Sequence, residues 1–111
     1  MLLAVALGAF GAHGLKSRVA VEMLAVWQTA VLYHLAHALG LLLIGVLWHC
    51  WPEAGVRQAG WLLQAGIVLF AGSLYLMVLT GFRALGMITP LGGVAFLLGW
   101  LLLAVTAYRA G

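Results

Sequence analysis

The sequence predicts an all-α fold: a polytopic membrane helical bundle with about four transmembrane helices. The chain of 111 residues is 67% hydrophobic and only 6% charged, with a mean hydropathy of +1.21. Soluble domains are usually about 45 to 50% apolar, so this chain has too little polar surface to cover a globule in water. Its apolar runs approach the ~20 residues that a helix needs to cross a bilayer. They also lack the alternation that is typical of membrane β-strands.

Four apolar segments are the predicted spans, and they form a single domain over residues 1–111. Pro52 ends the second span, because proline cannot continue the helical hydrogen-bond ladder. Thr89 is the expected N-cap of the last, followed by Pro90 in the first helical position. The approximate spans are residues 1–14, 30–51, 59–80 and 90–108.

The first span is short, since 14 residues of helix extend only about 21 Å. Ala4, Gly8 and Ala12 recur every four residues, a spacing of small side chains that favours close helix packing in membranes. We therefore expect a first span here, either short or with its start upstream of Met1. Whether Met1 is the native start stays open.

Residues 15–29 are predicted to contain a short helix that lies on the membrane surface. Arg18, Glu22 and Thr29 share one face of such a helix, and Met23 and Trp27 lie opposite. This amphipathic pattern is typical of interfacial helices.

The few charges suggest an orientation in the membrane. Lys16, Arg18 and Arg83 fall in the loops 15–29 and 81–88, whereas Arg57 and Arg109 fall at the other end of the spans. The positive-inside rule therefore favours cytoplasmic loops at 15–29 and 81–88. Scattered loop charges of this kind do not form a nucleic-acid-binding face.

Several segments carry a family resemblance. They are "LGAFGAHGLK" at 7–16, "WQTAVLYHLAHALGLL" at 27–42, "AGWLLQAGIVLFAGSLYLMVLTG" at 59–81 and "LGMITPLGGVAFLLGWLLLA" at 85–104. In this order they resemble the family known as domain of unknown function 423, the YgdD- and YwdK-like small bacterial inner-membrane proteins. The resemblance implies a compact bundle of about four membrane helices in the bacterial inner membrane, with no established activity to transfer. Members generally have a fuller first span.

The stretch "YHLAH" at 33–37 is the main candidate for a functional site. His34 and His37 share a helical face, and Tyr33 lies one turn from His37. His13 ends the first span on the same side of the membrane, so the three imidazoles are a candidate ligand set for a metal ion such as zinc, copper or iron, or for haem. The alternatives are that neutral histidines hold helices together through hydrogen bonds, or that they handle protons.

Two further polar features are candidates for contacts. Ser73 is expected to bond to its own helix or across to the histidine face. The segment "GMITPLGG" at 86–93 places Gly92 and Gly93 in a helical first turn after Thr89, near Arg83, and such a turn is a candidate anion site. A tight turn with a close helix crossing is the alternative, since the loop lacks the lysine spacing of a phosphate-binding loop.

These observations favour a non-enzymatic accessory or assembly protein of the inner membrane. No residues are predicted to be catalytic, and no cofactor is expected unless the histidines bind a metal or haem. The expected partners are the lipid bilayer and either another membrane protein or a second copy, without nucleic acid. The alternatives are a metal- or cofactor-binding component for redox chemistry or transport, and an oligomeric pathway for protons or small solutes lined by Tyr33, His34, His37, Ser73 and Thr80.

Overall fold

A computed structural model describes residues 1–15 and 17–110, and four helices make up most of this part of the chain. They are α1 (Leu2–Leu15), α2 (Val21–Cys50), α3 (Ala54–Thr80) and α4 (Thr89–Ala110). A π-helical turn, Gly11–Leu15, ends α1, and another, Ile67–Ala71, interrupts α3. A 3-10 helix, Arg83–Met87, leads into α4.

The fold class predicted from the sequence is confirmed: the described part is an all-α bundle without strands. Three segments, Val21–Cys50, Ala54–Thr80 and Arg83–Ala110, are long and apolar enough to cross a membrane, while α1 is shorter. Successive helices run antiparallel, so the connection after α1 and the connection between α3 and α4 lie at the same end of the bundle.

The structure corrects the prediction of a separate surface helix within residues 15–29. Residues 21–29 are instead the first turns of α2, which continues without a break to Cys50. No proline or glycine interrupts the segment before Gly40, so nothing in the chain stops the helix at residue 29. Trp27, predicted to lie on the apolar face of the surface helix, is 1% exposed and belongs to the bundle core.

Trp27 joins the three helices α1, α2 and α3. Its indole Nε1 donates to the carbonyl oxygen of Leu7 in α1 at 2.9 Å. Its ring lies 5.7 Å from the ring of Phe10 in α1 and 4.7 Å from that of Tyr75 in α3, measured between centroids. Gly11 leaves room for the indole, since a Cβ at this position would clash with it.

α3 and α4 form the most extensive helix pair. Their backbones come close together where Gly92 of α4 faces Phe70 in the π-helical turn of α3. A Cβ added to Gly92 would lie 2.7 Å from the Cα of Phe70, closer than real Cβ atoms pack. Small residues at such positions allow membrane helices to approach closely.

Glycine also ends α3. Gly81 has φ 74°, a left-handed conformation that terminates the helix, and its N–H donates to the carbonyl oxygen of Met77 at 2.8 Å. Glycine adopts this conformation without the steric penalty that a Cβ brings. The chain can therefore turn directly into the 3-10 helix and α4.

Candidate functional site

His34 and His37 share one face of α2, as predicted, but their imidazoles have different partners. His34 and His37 are both 8% exposed and lie in the middle of α2. His34 Nδ1 lies 2.9 Å from the hydroxyl of Tyr75 in α3. The second imidazole, of His37, contacts α4 instead.

His37 uses both of its ring nitrogens. Nδ1 lies 2.9 Å from the carbonyl oxygen of Tyr33, which is an acceptor, so Nδ1 carries the proton. Nε2 then accepts from the indole N–H of Trp100 at 3.0 Å. The imidazole also stacks on Phe96, with ring centroids 3.6 Å apart and an interplanar angle of 14°. These contacts fix a neutral imidazole between α2 and α4.

Tyr33 lies at the edge of this cluster. Its side chain is 41% exposed on the outer surface. Its ring lies 4.7 Å from that of Phe70 and 6.4 Å from that of Phe96, between centroids. The phenol ring therefore packs against the aromatic side chains at the helix crossing.

His13 does not join His34 and His37. It is exposed in the π-helical turn that ends α1. Within residues 1–15 and 17–110, no three side chains of His, Cys, Asp or Glu are grouped so that they could hold a metal ion. Because His37 also has both nitrogens engaged, the arrangement does not fit the predicted three-histidine ligand set. Lys16, next to this turn, lies outside the described residues.

Ser73 bonds to its own helix, one of the two alternatives that the sequence suggested, but its distant partner is Thr89 and not the histidine face. Its hydroxyl donates to the carbonyl oxygen of Phe70 at 2.9 Å, within α3. Its oxygen lies 2.6 Å from the hydroxyl of Thr89, at the start of α4. Since the proton of Ser73 is used within its own helix, Thr89 is the donor in this pair. Ser73 thus ties α3 to α4 at the crossing where Gly92 meets Phe70.

The predicted anion site is not assembled at the start of α4. The N–H groups of Leu91 and Gly92 already donate to the carbonyl oxygen of Ile88. Gly92 is buried against Phe70, Thr89 pairs with Ser73, and Arg83 is exposed in the 3-10 helix. Gly93, the remaining residue of the predicted site, has no side chain that could contact an anion. The segment forms the close helix crossing that was the alternative interpretation.

The residues of the predicted pathway do not line one channel in the described part of the chain. Thr80 is exposed, and its hydroxyl donates to the carbonyl oxygen of Leu76 in its own helix. Ser73 faces α4 through Thr89, and Tyr33 is on the outer surface. His34 and Ser73 line two different crevices of the surface.

Sequence reasoning missed the partners that the histidines use. Tyr75 and Trp100 are 41 and 63 residues away from their imidazole partners. The only signal in the sequence is that a histidine within a membrane span needs a hydrogen-bond partner. The sequence pattern also predicted Trp27 on the face of a surface helix. The signal that was missed is the set of glycines in "GAFGAHG", which leave the room that the indole occupies.

Similar proteins place the chain in a family. The sequence profile described as "Protein of unknown function (DUF423)" matches residues 7–93. The chain is 52% identical to the UPF0382 membrane protein YwdK of Bacillus subtilis (strain 168), over 97% of this chain and 89% of the relative. UPF0382 membrane proteins of Staphylococcus aureus and Staphylococcus saprophyticus are each 46% identical, over 97% of this chain and 88% and 89% of their own lengths. No solved structure matches at a significant level.

The family match and the helices agree with each other. The relatives are named membrane proteins, and the chain has three helices that are long and apolar enough to cross a bilayer. The predicted resemblance is thereby confirmed. The chain is an integral membrane protein that belongs to the DUF423 family.

Proposed function

We propose that this protein is a non-enzymatic accessory or assembly protein that acts by packing against a transmembrane helix of a second copy. The contact surface in this proposal is the α2/α3 groove, a depression of about 410 Å³ on the outer surface of the bundle. Its lining residues include Leu41, Ile44, Gly45, Trp48, Gly60 and Trp61.

The groove contains one glycine, Gly45, that the fold itself does not use, whereas a Cβ on Gly60 would lie 3.1 Å from Ile44. A Cβ added to Gly45 would have nothing within 4 Å. By contrast, the stripe of small residues predicted in α1 packs inside the bundle: Ala4 is fully buried, and a Cβ on Gly8 would lie 3.2 Å from Val31. Gly45 therefore leaves space on the membrane-facing surface, where a second helix can approach closely.

Gln64 is the observation that carries the proposal. It is exposed on α3 and lines the groove, ten residues after Ala54 and so about 15 Å along the helix. No hydrogen bond to its carboxamide is present in the described part of the chain, and an amide without a partner in hydrocarbon is costly. Because a carboxamide is both donor and acceptor, the same residue of a second copy is a matching partner.

Association of labelled copies in lipid vesicles tests this proposal. We expect energy transfer between donor- and acceptor-labelled protein, and we expect Gln64→Leu to weaken association by about 1 kcal/mol, roughly fivefold. Gly45→Leu fills the space that the second helix needs and is expected to weaken association at least as much. Neither change should lower the stability of the single chain, since a Cβ at Gly45 would contact nothing within 4 Å and Gln64 has no hydrogen bond in the described residues.

Ala36→Leu is the matched control. Ala36 is also exposed on α2, and nine residues of helix place it on roughly the opposite face from Gly45. This variant should associate like the unmodified protein. Absence of energy transfer, or equal weakening by Ala36→Leu and Gly45→Leu, would contradict the proposal.

The proposal places the bundle in the bacterial inner membrane, with the loops 15–29 and 81–88 in the cytoplasm. Arg18 and Arg83 support this orientation because both lie at that end, together with Lys16 in the sequence. Arg57 and Arg109 lie at the other end. An excess of basic residues marks the cytoplasmic side of membrane proteins.

The single cysteine allows a direct test of this orientation. Cys50 is exposed at the last residue of α2, at the end opposite the two loops. We expect a membrane-impermeant maleimide to label Cys50 in spheroplasts before the membrane is permeabilised. In a Cys50→Ser background, Ser17→Cys should be labelled only after permeabilisation. The reverse pattern would show that the bundle has the opposite orientation.

A further inference from the structure

A lipid-facing crevice between α1, α2 and α3 ends on His34. Its volume is about 490 Å³, within the range of roughly 300 to 1,000 Å³ that is usual for small-molecule sites. Most of its lining is aliphatic, and its polar side chains are those of His34, Gln64 and Tyr75. The aliphatic residues include Leu3, Leu7, Ile67 and Val68.

The contact with Tyr75 determines which nitrogen of His34 carries the proton. If Nδ1 donated to the phenol oxygen, the phenol proton would have no acceptor in the described part of the chain. A phenol is a better hydrogen-bond donor than acceptor, so Tyr75 donates to Nδ1. The proton of the neutral imidazole is then on Nε2, and this N–H is the one donor of the pair that the contact leaves unpaired. His34 therefore presents an N–H donor on the side of the ring away from Tyr75.

This N–H has no partner among the residues that the structure describes, but it is accessible from the crevice. Nε2 of His34 makes no hydrogen bond within residues 1–15 and 17–110, although the side chain is 92% buried, being 8% exposed. In the same residues, no fully buried side-chain nitrogen or oxygen lacks a partner. Nε2 is therefore not sealed inside the bundle, and the crevice lined by His34 is where it is reached.

We propose that this crevice binds a lipid-soluble carbonyl compound of the quinone class. The carbonyl oxygen accepts the hydrogen bond from Nε2 of His34, and the apolar body of the molecule lies against the aliphatic wall. A lipid acyl chain fills the same volume but offers no acceptor, so it leaves the donor unpaired in hydrocarbon. The bond between Tyr75 and Nδ1 orients the imidazole for this contact.

Two substitutions of His34 separate its two hydrogen bonds. The amide of His34→Asn reaches only the position of Nδ1, so it can still accept from Tyr75 but has no donor at the position of Nε2. The longer His34→Gln places its amide at the position of Nε2 and gives up the bond to Tyr75. A site that depends on the Nε2 donor is lost in the first variant and kept in the second.

Titration of the detergent-solubilised protein with menadione, followed by quenching of tryptophan fluorescence, provides the test. Trp27 is a suitable reporter because its ring is 4.7 Å from that of Tyr75. We expect saturable quenching, about fivefold weaker binding by His34→Asn, and binding close to that of the unmodified protein by His34→Gln. Methylnaphthalene, which has the same shape without the carbonyl oxygens, should bind about as weakly to the unmodified protein as menadione does to His34→Asn.

Non-saturable quenching, or equal binding of menadione by the protein and His34→Asn, would overturn the proposal. So would equal binding of menadione and methylnaphthalene by the unmodified protein. Gly45→Leu, which lies outside this crevice, should leave menadione binding unchanged. Failure of this site is thereby distinguished from failure of the association proposed for the α2/α3 groove.

Discussion

Gly92→Ala is expected to destabilise the bundle by about 2 to 3 kcal/mol, because the added methyl group would press against backbone. The nearest atoms belong to Phe70, whose Cα would lie 2.7 Å from the new Cβ. Backbone atoms cannot rotate away as a side chain does, so α3 and α4 have to separate. This separation would also stretch the bond between Ser73 and Thr89 at the same crossing. The measurement is reversible unfolding in mixed micelles with increasing SDS.

The neighbouring glycine provides the control for this prediction. A Cβ on Gly93 would lie 4.0 Å from one ring carbon of Phe70, which is ordinary contact. Gly93→Ala should therefore be neutral, or stabilising by up to about 1 kcal/mol through the higher helix propensity of alanine. Equal effects of the two substitutions would show that the close approach at Gly92 does not limit the packing of α4.

Trp27→Ala is expected to cost on the order of 3 kcal/mol and to loosen α1 from the rest of the bundle. The substitution leaves a cavity between α1 and α3 and removes the hydrogen bond to the carbonyl oxygen of Leu7. Trp27→Phe keeps an aromatic ring and should cost about 1 kcal/mol, mainly for the lost hydrogen bond. The unfolding free energy in micelles measures both effects, and amide hydrogen exchange in α1 reports the loosening.

Trp61→Ala is the matched control for Trp27→Ala. Trp61 is 70% exposed on the lipid-facing surface, so its removal from a single bundle should change stability by less than about 0.5 kcal/mol. Unchanged hydrogen exchange in α1 of Trp27→Ala would contradict the role of Trp27 as the residue that holds α1 in place.

Local patterns were sufficient to predict much of the molecule. Apolar runs of membrane length indicate helices because the hydrocarbon leaves no other partner for an uninterrupted backbone. Pro52 and Gly81 lie at or next to helix ends, where their backbone preferences place them. The shared face of His34 and His37 follows from helical periodicity alone.

Other features depended on packing between distant segments. Residues 18–29 have the pattern of a surface helix because Arg18, Glu22 and Thr29 would share a polar face. Only the burial of Trp27 under α1 reveals that residues 21–29 belong to the bundle. Likewise, the glycines after Thr89 are compatible with an anion site or with a close crossing. The proximity of Phe70 distinguishes the two.

The sequence by itself therefore determined the class of protein, the presence of long apolar helices and the face on which the central histidines lie, because composition, periodicity and helix breakers act within a few residues. The tertiary structure alone decided that His34 meets Tyr75, that His37 meets Trp100 and that His13 stays apart. Polar side chains in a membrane interior have to find their hydrogen-bond partners on neighbouring helices. The register of one helix against another cannot be predicted from any local sequence pattern. The pairing of each imidazole was consequently decided by the contacts of α2 with α3 and α4.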